Sequence, residues 1–582
     1  MAEKERFFGI VRRRLPRDAV TIESYWVIEP FAKVTIAIVP EENQTVYFVE
    51  EPSLTPRGLE ALKEIGEVIE AELDPRELAP DDSDPQLILN KFLDRTFKKY
   101  GWLIRGLNQD ELRKIRYYLS RNFNGLGHLE PILRDPKIED ISCNGVDRPI
   151  YVFHKRYESL PTNLSFESRE VLNDYIVMLA HRSGKHISTA FPILDAILPG
   201  QHRIAATYGD EVTPSGGTFA IRKFRVEPFS IAELVRSGVL PSQLVAYLWL
   251  LLENKFSILI IGATGSGKTT LLNALCSLLY PTHKIVTVEE TPEIYITHQN
   301  WTRLVTRESY GFTGTISSAI GLFDLVRVSL RYRPDYLIVG EVRGKEASVL
   351  FQAIATGHGG LTTVHAESVT SLVSRLTSPP MEIDQANIPL VNAVILIERT
   401  LEKFWGDIRL PVRRVKRCWE IIKHDEFNEI TSFDEPSSKF NLKLEKSYHL
   451  QQMSSRIGVE LNELLTELHK RALYIEWLAK SNILKIEDVT ERITRYYQDP
   501  TSAFGEAVTQ LEKLATASTT AISEASFAIE TLLIRSGGES NLIDLLRNSR
   551  LSEEVFWRTI NNLQASGRIE VEKSGRVVAK NI

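Results

Sequence analysis

Residues 257–270 read Ser-Ile-Leu-Ile-Ile-Gly-Ala-Thr-Gly-Ser-Gly-Lys-Thr-Thr. A short apolar run enters a glycine-rich loop, and an apolar helical stretch, Leu271 to Leu279, follows. Gly262, Gly265 and Gly267 allow the tight turns that aim consecutive backbone N–H groups at one anion. The start of the helix adds partial positive charge at the same place. The pattern G-x-x-x-x-G-K-[ST] is complete, and it stands between a strand and a helix, the context it requires. The expected nucleotide-binding residues are therefore Gly262, Ala263, Thr264, Gly265, Ser266, Gly267, Lys268, Thr269 and Thr270. Lys268 is placed to reach the β- and γ-phosphates. Thr269 is placed to ligate Mg²⁺, an ion that keeps most of its waters.

Outward from this loop, residues 231–425 alternate short apolar runs with helical stretches. The runs are Ser257–Ile261, Lys284–Glu289, Tyr336–Val339, Gly360–His365 and Ala393–Glu398. That alternation predicts an α/β domain around a largely parallel, buried sheet. Two runs end in acids, Glu289-Glu290 and Gly340-Glu341. A hydrolytic site needs a group that orients or deprotonates water, and acids at the carboxyl ends of such a sheet stand beside the phosphate loop. The alternative for each is a solvated strand end. His358 and His365 flank a Gly-rich strand start, and a histidine there either contacts a γ-phosphate or serves only the structure.

The chain has 582 residues, room for about four domains. Apolar residues make up 43% and charged residues 25%, which excludes a disordered, collagen-like or coiled-coil chain. A net charge of −6 gives no overall attraction to nucleic acid or anionic lipid. Three scattered cysteines, Cys143, Cys276 and Cys418, exclude a four-cysteine zinc site and a disulfide scaffold, and suit a reducing cytosol. The N-terminus lacks a signal-peptide-like apolar core, and the strongest apolar run, Leu244 to Leu252, is too short to span a bilayer. Any membrane association is expected to be peripheral. Residues 1–85 read as a small β-rich unit, 86–230 as a mixed α+β domain and 231–425 as the phosphate-loop domain. Phe427 to Lys443 reads as a linker, and 444–500 as helical. Residues 501–582 read as a tail, with 501–528 a helix or a mobile connection. The tail's order of helix, helix and hairpin turning at Ser574-Gly575 resembles a winged helix. Residues 541–582 carry seven Lys/Arg against five Asp/Glu, a weak excess for nucleic-acid binding.

Together the motifs resemble the type II/type IV secretion ATPases, archaeal branch. GATGSGKTT (262–270), VTVEETPE (286–293), YLIVGEVRG (336–344) and GHGGLTTVHA (357–366) stand where that superfamily has its Walker A, Asp box, atypical Walker B and His box. Residues 138–163, 192–207 and 219–224 look like its N-terminal domain. The resemblance implies a RecA-like P-loop ATPase motor domain behind a mixed α+β N-terminal domain, using ATP and Mg²⁺. It implies that Glu341 polarises water, that Glu289 and Glu290 position water or metal, and that His365, with His358, senses the γ-phosphate. Glu290 departs from the family's usual Asp, which leaves the division of roles between the two acids open. Arginines of the N-terminal domain neutralise γ-phosphate charge in this family. Arg203 and Arg222 come first, then Arg225, and Arg331, Arg333 and Arg343 flank the Walker B run. The resemblance further implies a cytoplasmic homo-hexameric ring, peripherally associated with the membrane. It would drive an integral-membrane platform protein that assembles or secretes pilin-like subunits. The alternatives are a conjugation-type motor moving DNA or protein, and an ATP-switched nucleic-acid-binding regulator.

Overall fold

The structure is a computed structural model. It describes residues 4–7, 10–72, 85–224, 228–307, 320–405, 408–536, 539–549, 551, 556, 559–560, 562–564, 566–572 and 576–580. It forms two compact units, Met1–Val226 and Glu227–Ile582.

The first unit is built on one eleven-stranded sheet among the described residues. Its main path runs Val20–Ile28, Ala32–Val39, Gln44–Glu50, Glu158–Phe166, Pro149–His154, Ile138–Cys143, Thr218–Arg222, Arg203–Thr207 and Ile193–Ile197. The β-rich stretch expected to stand alone is therefore part of the next domain's sheet. Tyr47 pairs with Thr162, and the Asn163 side chain bonds both the N–H and the C=O of Val49. Val34, Ile36, Tyr47 and Val49 lie in one core with Ile132, Ile141 and Leu164. A three-stranded meander alone buries too little to be independently stable, and fusion to a larger sheet removes one of its edges.

The second unit holds a nine-stranded sheet among the described residues. In spatial order the parallel strands are Trp301–Val305, Ile285–Glu289, Tyr336–Val339, Gly359–Val364, Ile258–Ile261 and Ala393–Trp405. Antiparallel strands Ile408–Lys423, Glu426–Asp434 and Lys439–Leu442 extend it. Alternate residues of the phosphate-loop strand enter different cores, Ile258 and Ile260 one, Leu259 and Ile261 the other. Burial on both faces is why these runs read as continuously apolar rather than alternating. The phosphate-loop strand is central, and one strand separates it from the strand leading to Glu341. This is a RecA-like P-loop α/β fold.

One sequence expectation is corrected here and one open alternative is resolved. Phe427 to Lys443 is not a linker but supplies two strands, Glu426–Asp434 and Lys439–Leu442. They lie at the sheet margin and are half-exposed, so their polar composition resembles that of a loop. Residues 501–528 belong to a single helix, Pro500–Arg535. Its end is the first helix of the C-terminal module, which continues with strand Glu539–Asn541, helix Leu542–Ser549 and hairpin Ile569–Val571 and Arg576–Ala579. Ile529, Leu533, Leu545, Phe556, Ile560, Leu563, Ile569 and Val577 form its core. The expected turn at Ser574-Gly575 lies outside the described residues. Among the described residues no helix is long and apolar enough to cross a membrane.

Candidate functional site

The carboxyl ends of four adjacent parallel strands carry Gly262, Glu289, Gly340-Glu341 and His365. Gly262 has φ +152°, Gly265 +74° and Gly267 +99°. A Cβ built on Gly262 would lie 2.2 Å from the Ile397 carbonyl oxygen of the neighbouring strand. Gly267 is the N-terminal cap, in left-handed conformation, of helix Lys268–Cys276.

Lys268 folds back on its own loop. Its Nζ donates to the carbonyls of Gly262 and Ala263, both at 3.0 Å, and lies 3.3 Å from His365 Nδ1. The His365 Nε2 is 2.9 Å from Glu341 Oε1, and Arg343 Nη2 donates to Glu341 Oε2 at 2.6 Å. An ammonium only donates, so Nδ1 of His365 is the acceptor and Nε2 carries the proton, a tautomer assigned from the donor inventory; Nε2 and Glu341 Oε1 are close but not aligned as a hydrogen bond. Burial pushes the His365 pKa below its ordinary value, and the Lys268 charge pushes it further, so the ring is neutral at pH 7. Burial also lowers Lys268, with Arg343 acting in the same direction and Glu341 against it. For Glu341, burial raises the pKa, but the bond and charge of Arg343, with His365 and Lys268, outweigh it, so the pKa is lowered and the carboxylate stays ionised. Thr363 Oγ1 holds the Gly340 carbonyl at 2.8 Å, which fixes the strand end that presents Glu341.

The two neighbouring acids differ. Glu289 is 2% exposed. It accepts the N–H groups of Glu293 at 2.8 Å and Ile294 at 2.7 Å, and the Arg303 Nε at 3.1 Å. Its carboxylate is committed to the turn after its own strand. Burial raises its pKa against those bonds. Glu290 is exposed, and its charge, after that of Glu341, helps raise the Arg343 pKa. His358 precedes its strand and so lies at the opposite, amino-terminal end of the strands. Its Nδ1 is 3.0 Å from the Ala353 carbonyl and 3.1 Å from Thr356 Oγ1, at the end of helix Glu346–Ala355. Arg331 and Arg333 also precede their strand, away from the loop; Arg343 alone of those three is at the site.

Arg203 and Arg222 belong to the first unit, directly opposite each other on adjacent strands. Arg203 pairs with Asp195 at 2.8 Å and Arg222 with Asp140 at 3.3 Å, all substantially exposed. Arg225 lies outside the described residues. One contact had no signal in sequence. Arg413, from strand Ile408–Lys423, donates its Nε to the Gly265 carbonyl at 3.3 Å. In sequence it is one cation of a basic run, Arg413-Arg414-Val-Lys416-Arg417.

The donor set fits a nucleotide with Mg²⁺. Ser266 Oγ is buried beside the loop and has no hydrogen-bond partner in the structure. Thr269 stands in the first helical turn, half-buried. Among the described residues no group of three or more His, Cys, Asp or Glu is arranged to hold a metal.

The type II/IV secretion system protein family matches residues 124–420, just over half of the chain. Among curated relatives, the uncharacterized protein MJ0900 of Methanocaldococcus jannaschii is 41% identical over 330 residues, 54% of this chain and 59% of that protein. The chain thus spans less than two thirds of that relative. A probable conjugal transfer protein, TrbB, of Sinorhizobium fredii is 32% identical over 232 residues, 38% of this chain and 68% of that protein. Among solved structures, the VirB11 ATPase of the Brucella suis type IV secretion system, in complex with sulphate, is 24% identical. It aligns with a TM-score of 0.25 over 52% of this chain and 98% of that one. The pilus retraction motor PilT with bound ADP is 17% identical, with a TM-score of 0.35 over 61% and 92%. With the four strand-end motifs in place and this match across both units, the chain belongs to the type II/IV secretion system protein family.

Proposed function

We propose that the protein hydrolyses ATP to ADP and phosphate as a homo-hexameric motor. Its work is to power assembly or secretion of pilin-like subunits through an integral-membrane platform, from the cytoplasmic side and by peripheral association. The observation that carries the hydrolytic part is the continuous contact from Lys268 through His365 and Glu341 to Arg343 at the mouth of a complete phosphate loop.

The chemistry asked of each residue follows from its present partners. The loop N–H groups and the helix start bind the polyphosphate. Lys268 exchanges the Gly262 and Ala263 carbonyls for phosphate oxygens, as a mobile point charge does readily. When Lys268 moves, His365 Nδ1 loses its donor while its Nε2 remains within 2.9 Å of Glu341 Oε1. His365 thereby couples the presence of the γ-phosphate to the carboxylate. Glu341, ionised, accepts a hydrogen bond from the attacking water and orients it. The Thr269 hydroxyl would hold Mg²⁺, which would supply neutralisation of the phosphate charge. Of the paired acids, Glu290 is assigned to water or metal positioning, because Glu289 is occupied by its turn. Arg203 and Arg222 are candidates for neutralising γ-phosphate charge, each tested by its alanine variant in the assay below.

The test is phosphate release with Mg·ATP beside Glu341→Gln, with mass measured by light scattering. A hexamer that turns over, and a variant that binds ATP but is at least about a hundredfold slower, is the expected result. Equal rates would sink the role of Glu341. A conjugation-type motor is the second reading, supported by relatives named as conjugal transfer proteins. Co-purification of DNA rather than a membrane platform would favour it. For the regulator reading, three basic residues around the tail's hairpin are engaged among the described residues: Arg568 with Glu530, Arg576 with Glu539 and Lys580 with Glu570.

A further inference from the structure

We infer that Arg413 is a positioning residue of the nucleotide loop, holding its tip from two strands away and adding a permanent cation beside the phosphate cradle. The inference rests on the nucleotide reading above. Strand Ile408–Lys423 does not touch the phosphate-loop strand; Ala393–Trp405 lies between them, and Arg413 is paired there with Arg399. The long side chain nevertheless reaches across. Its Nε donates to the Gly265 carbonyl at 3.3 Å, and a Cβ built on Gly267 would meet its Cδ at 3.3 Å. The arginine stem therefore lies against one glycine of the loop while the guanidinium holds another.

The peptide plane explains why that contact matters for binding. The Gly265 carbonyl and the Ser266 N–H belong to one planar trans peptide and point in opposite directions. Anchoring the carbonyl outside the loop fixes the direction of the N–H. At present that N–H makes a long bond, 3.3 Å, to the Ala263 carbonyl within the loop. A bond of that length is given up cheaply when an anion arrives. Gly265 itself has φ +74°, and a Cβ there would meet nothing within 4 Å, so the loop tip lacks close packing of its own. The guanidinium keeps its charge at every working pH and offers a fork of donors that a lysine lacks. A contact of this kind acts on bound ADP and ATP alike. Its loss raises KM and Kd together and leaves kcat nearly unchanged.

The experiment titrates the full-length protein, wild type and variants, with a fluorescent ADP analogue and Mg²⁺, and measures ATP turnover and thermal unfolding in parallel. Arg413→Ala is expected to weaken ADP binding about tenfold, about 1.4 kcal/mol, to raise KM for ATP by the same factor, and to hold kcat within about twofold. Arg413→Lys is expected to recover part of the affinity through charge alone. Arg417→Ala is the control; it lies four residues along the same strand, exposed and paired with Glu429 at 3.4 Å, and is expected to bind ADP like wild type. Wild-type affinity in Arg413→Ala overturns the inference. So does an equal loss of affinity in the alanine and lysine variants accompanied by an equal loss of thermal stability, since that is packing alone. A wild type that binds no nucleotide overturns the nucleotide reading itself, a result separable from either of these.

Discussion

Gly262→Ala and Gly265→Ala are both small changes in the same loop, and the structure assigns them very different costs. A methyl on Gly262 falls 2.2 Å from the Ile397 carbonyl oxygen and 2.7 Å from Ser266 Oγ. The first of these is backbone in a central strand, so it cannot rotate away. Its φ of +152° adds strain for any residue with a Cβ. Strain of about 1–3 kcal/mol and overpacking of about 1–3 kcal/mol sum to roughly 2–6 kcal/mol. Gly265 has φ +74° and open space around it, so its alanine costs only the left-handed penalty, about 1–2 kcal/mol. For a unit of this size those costs correspond to melting-point losses of about 5–15 °C for Gly262→Ala and about 2–5 °C for Gly265→Ala. The assay is thermal unfolding with and without Mg·ADP. Ligand at about a hundred times Kd stabilises a binding-competent protein by about 2.7 kcal/mol. Gly262→Ala is expected to lose that ligand-induced rise and Gly265→Ala to keep most of it. Equal melting points for the two variants, with the rise intact in both, would refute the argument that Gly262 is required by the approach of the Ile397 carbonyl.

Other outcomes follow from the same geometry. The His365 pKa lies below its ordinary 6.5, so the unfolded chain takes up that proton first. The stability contributed by neutral His365 is therefore complete above 6.5 and declines as pH falls through that value toward the folded pKa. Turnover is expected to fall over the same window, and His365→Gln to remove that limb from the pH profile. Glu420 is fully buried and accepts hydrogen bonds from Tyr247, Asn428, Ser447 and the backbone N–H groups of Tyr448 and His449. Glu420→Ala strands these donors and is expected to cost about 3 kcal/mol or more in urea unfolding, with Glu420→Gln much milder. Burial raises the thiol pKa values of Cys276 and Cys418 strongly, and pushes Cys143 up to about 11. All three thiols are expected to resist a thiol reagent at pH 8 until denaturant is added.

Several features of the site were legible because they are carried by consecutive residues. The glycine spacing of 262–267, the strand before it and the helix after it are local patterns, as are the buried runs ending at Glu289 and Val339. Helical periodicity likewise marked the stretch 444–500, where the structure has helix Leu461–Lys480. The limits appear wherever a residue's role depends on which distant segment faces it. Glu289 and Glu290 are adjacent and chemically identical, yet one is closed off by Glu293, Ile294 and Arg303 while the other stays exposed. His358 and His365 bracket one strand, and strand direction alone puts them at its opposite ends. The strands at 426–442 were hidden because marginal strands carry loop-like composition.

The sequence by itself determined that a phosphate-binding loop stands on a parallel α/β sheet, with acids and a histidine ending neighbouring strands. Those are consequences of backbone conformation and hydrophobic burial, which short stretches encode directly. Only the tertiary structure decided which acid keeps a usable carboxylate, that His365 bridges Lys268 and Glu341, and that Arg413 reaches the loop from two strands away. Hydrogen bonds and charges act over a few ångströms in space, and separation along the chain does not report distances of that order.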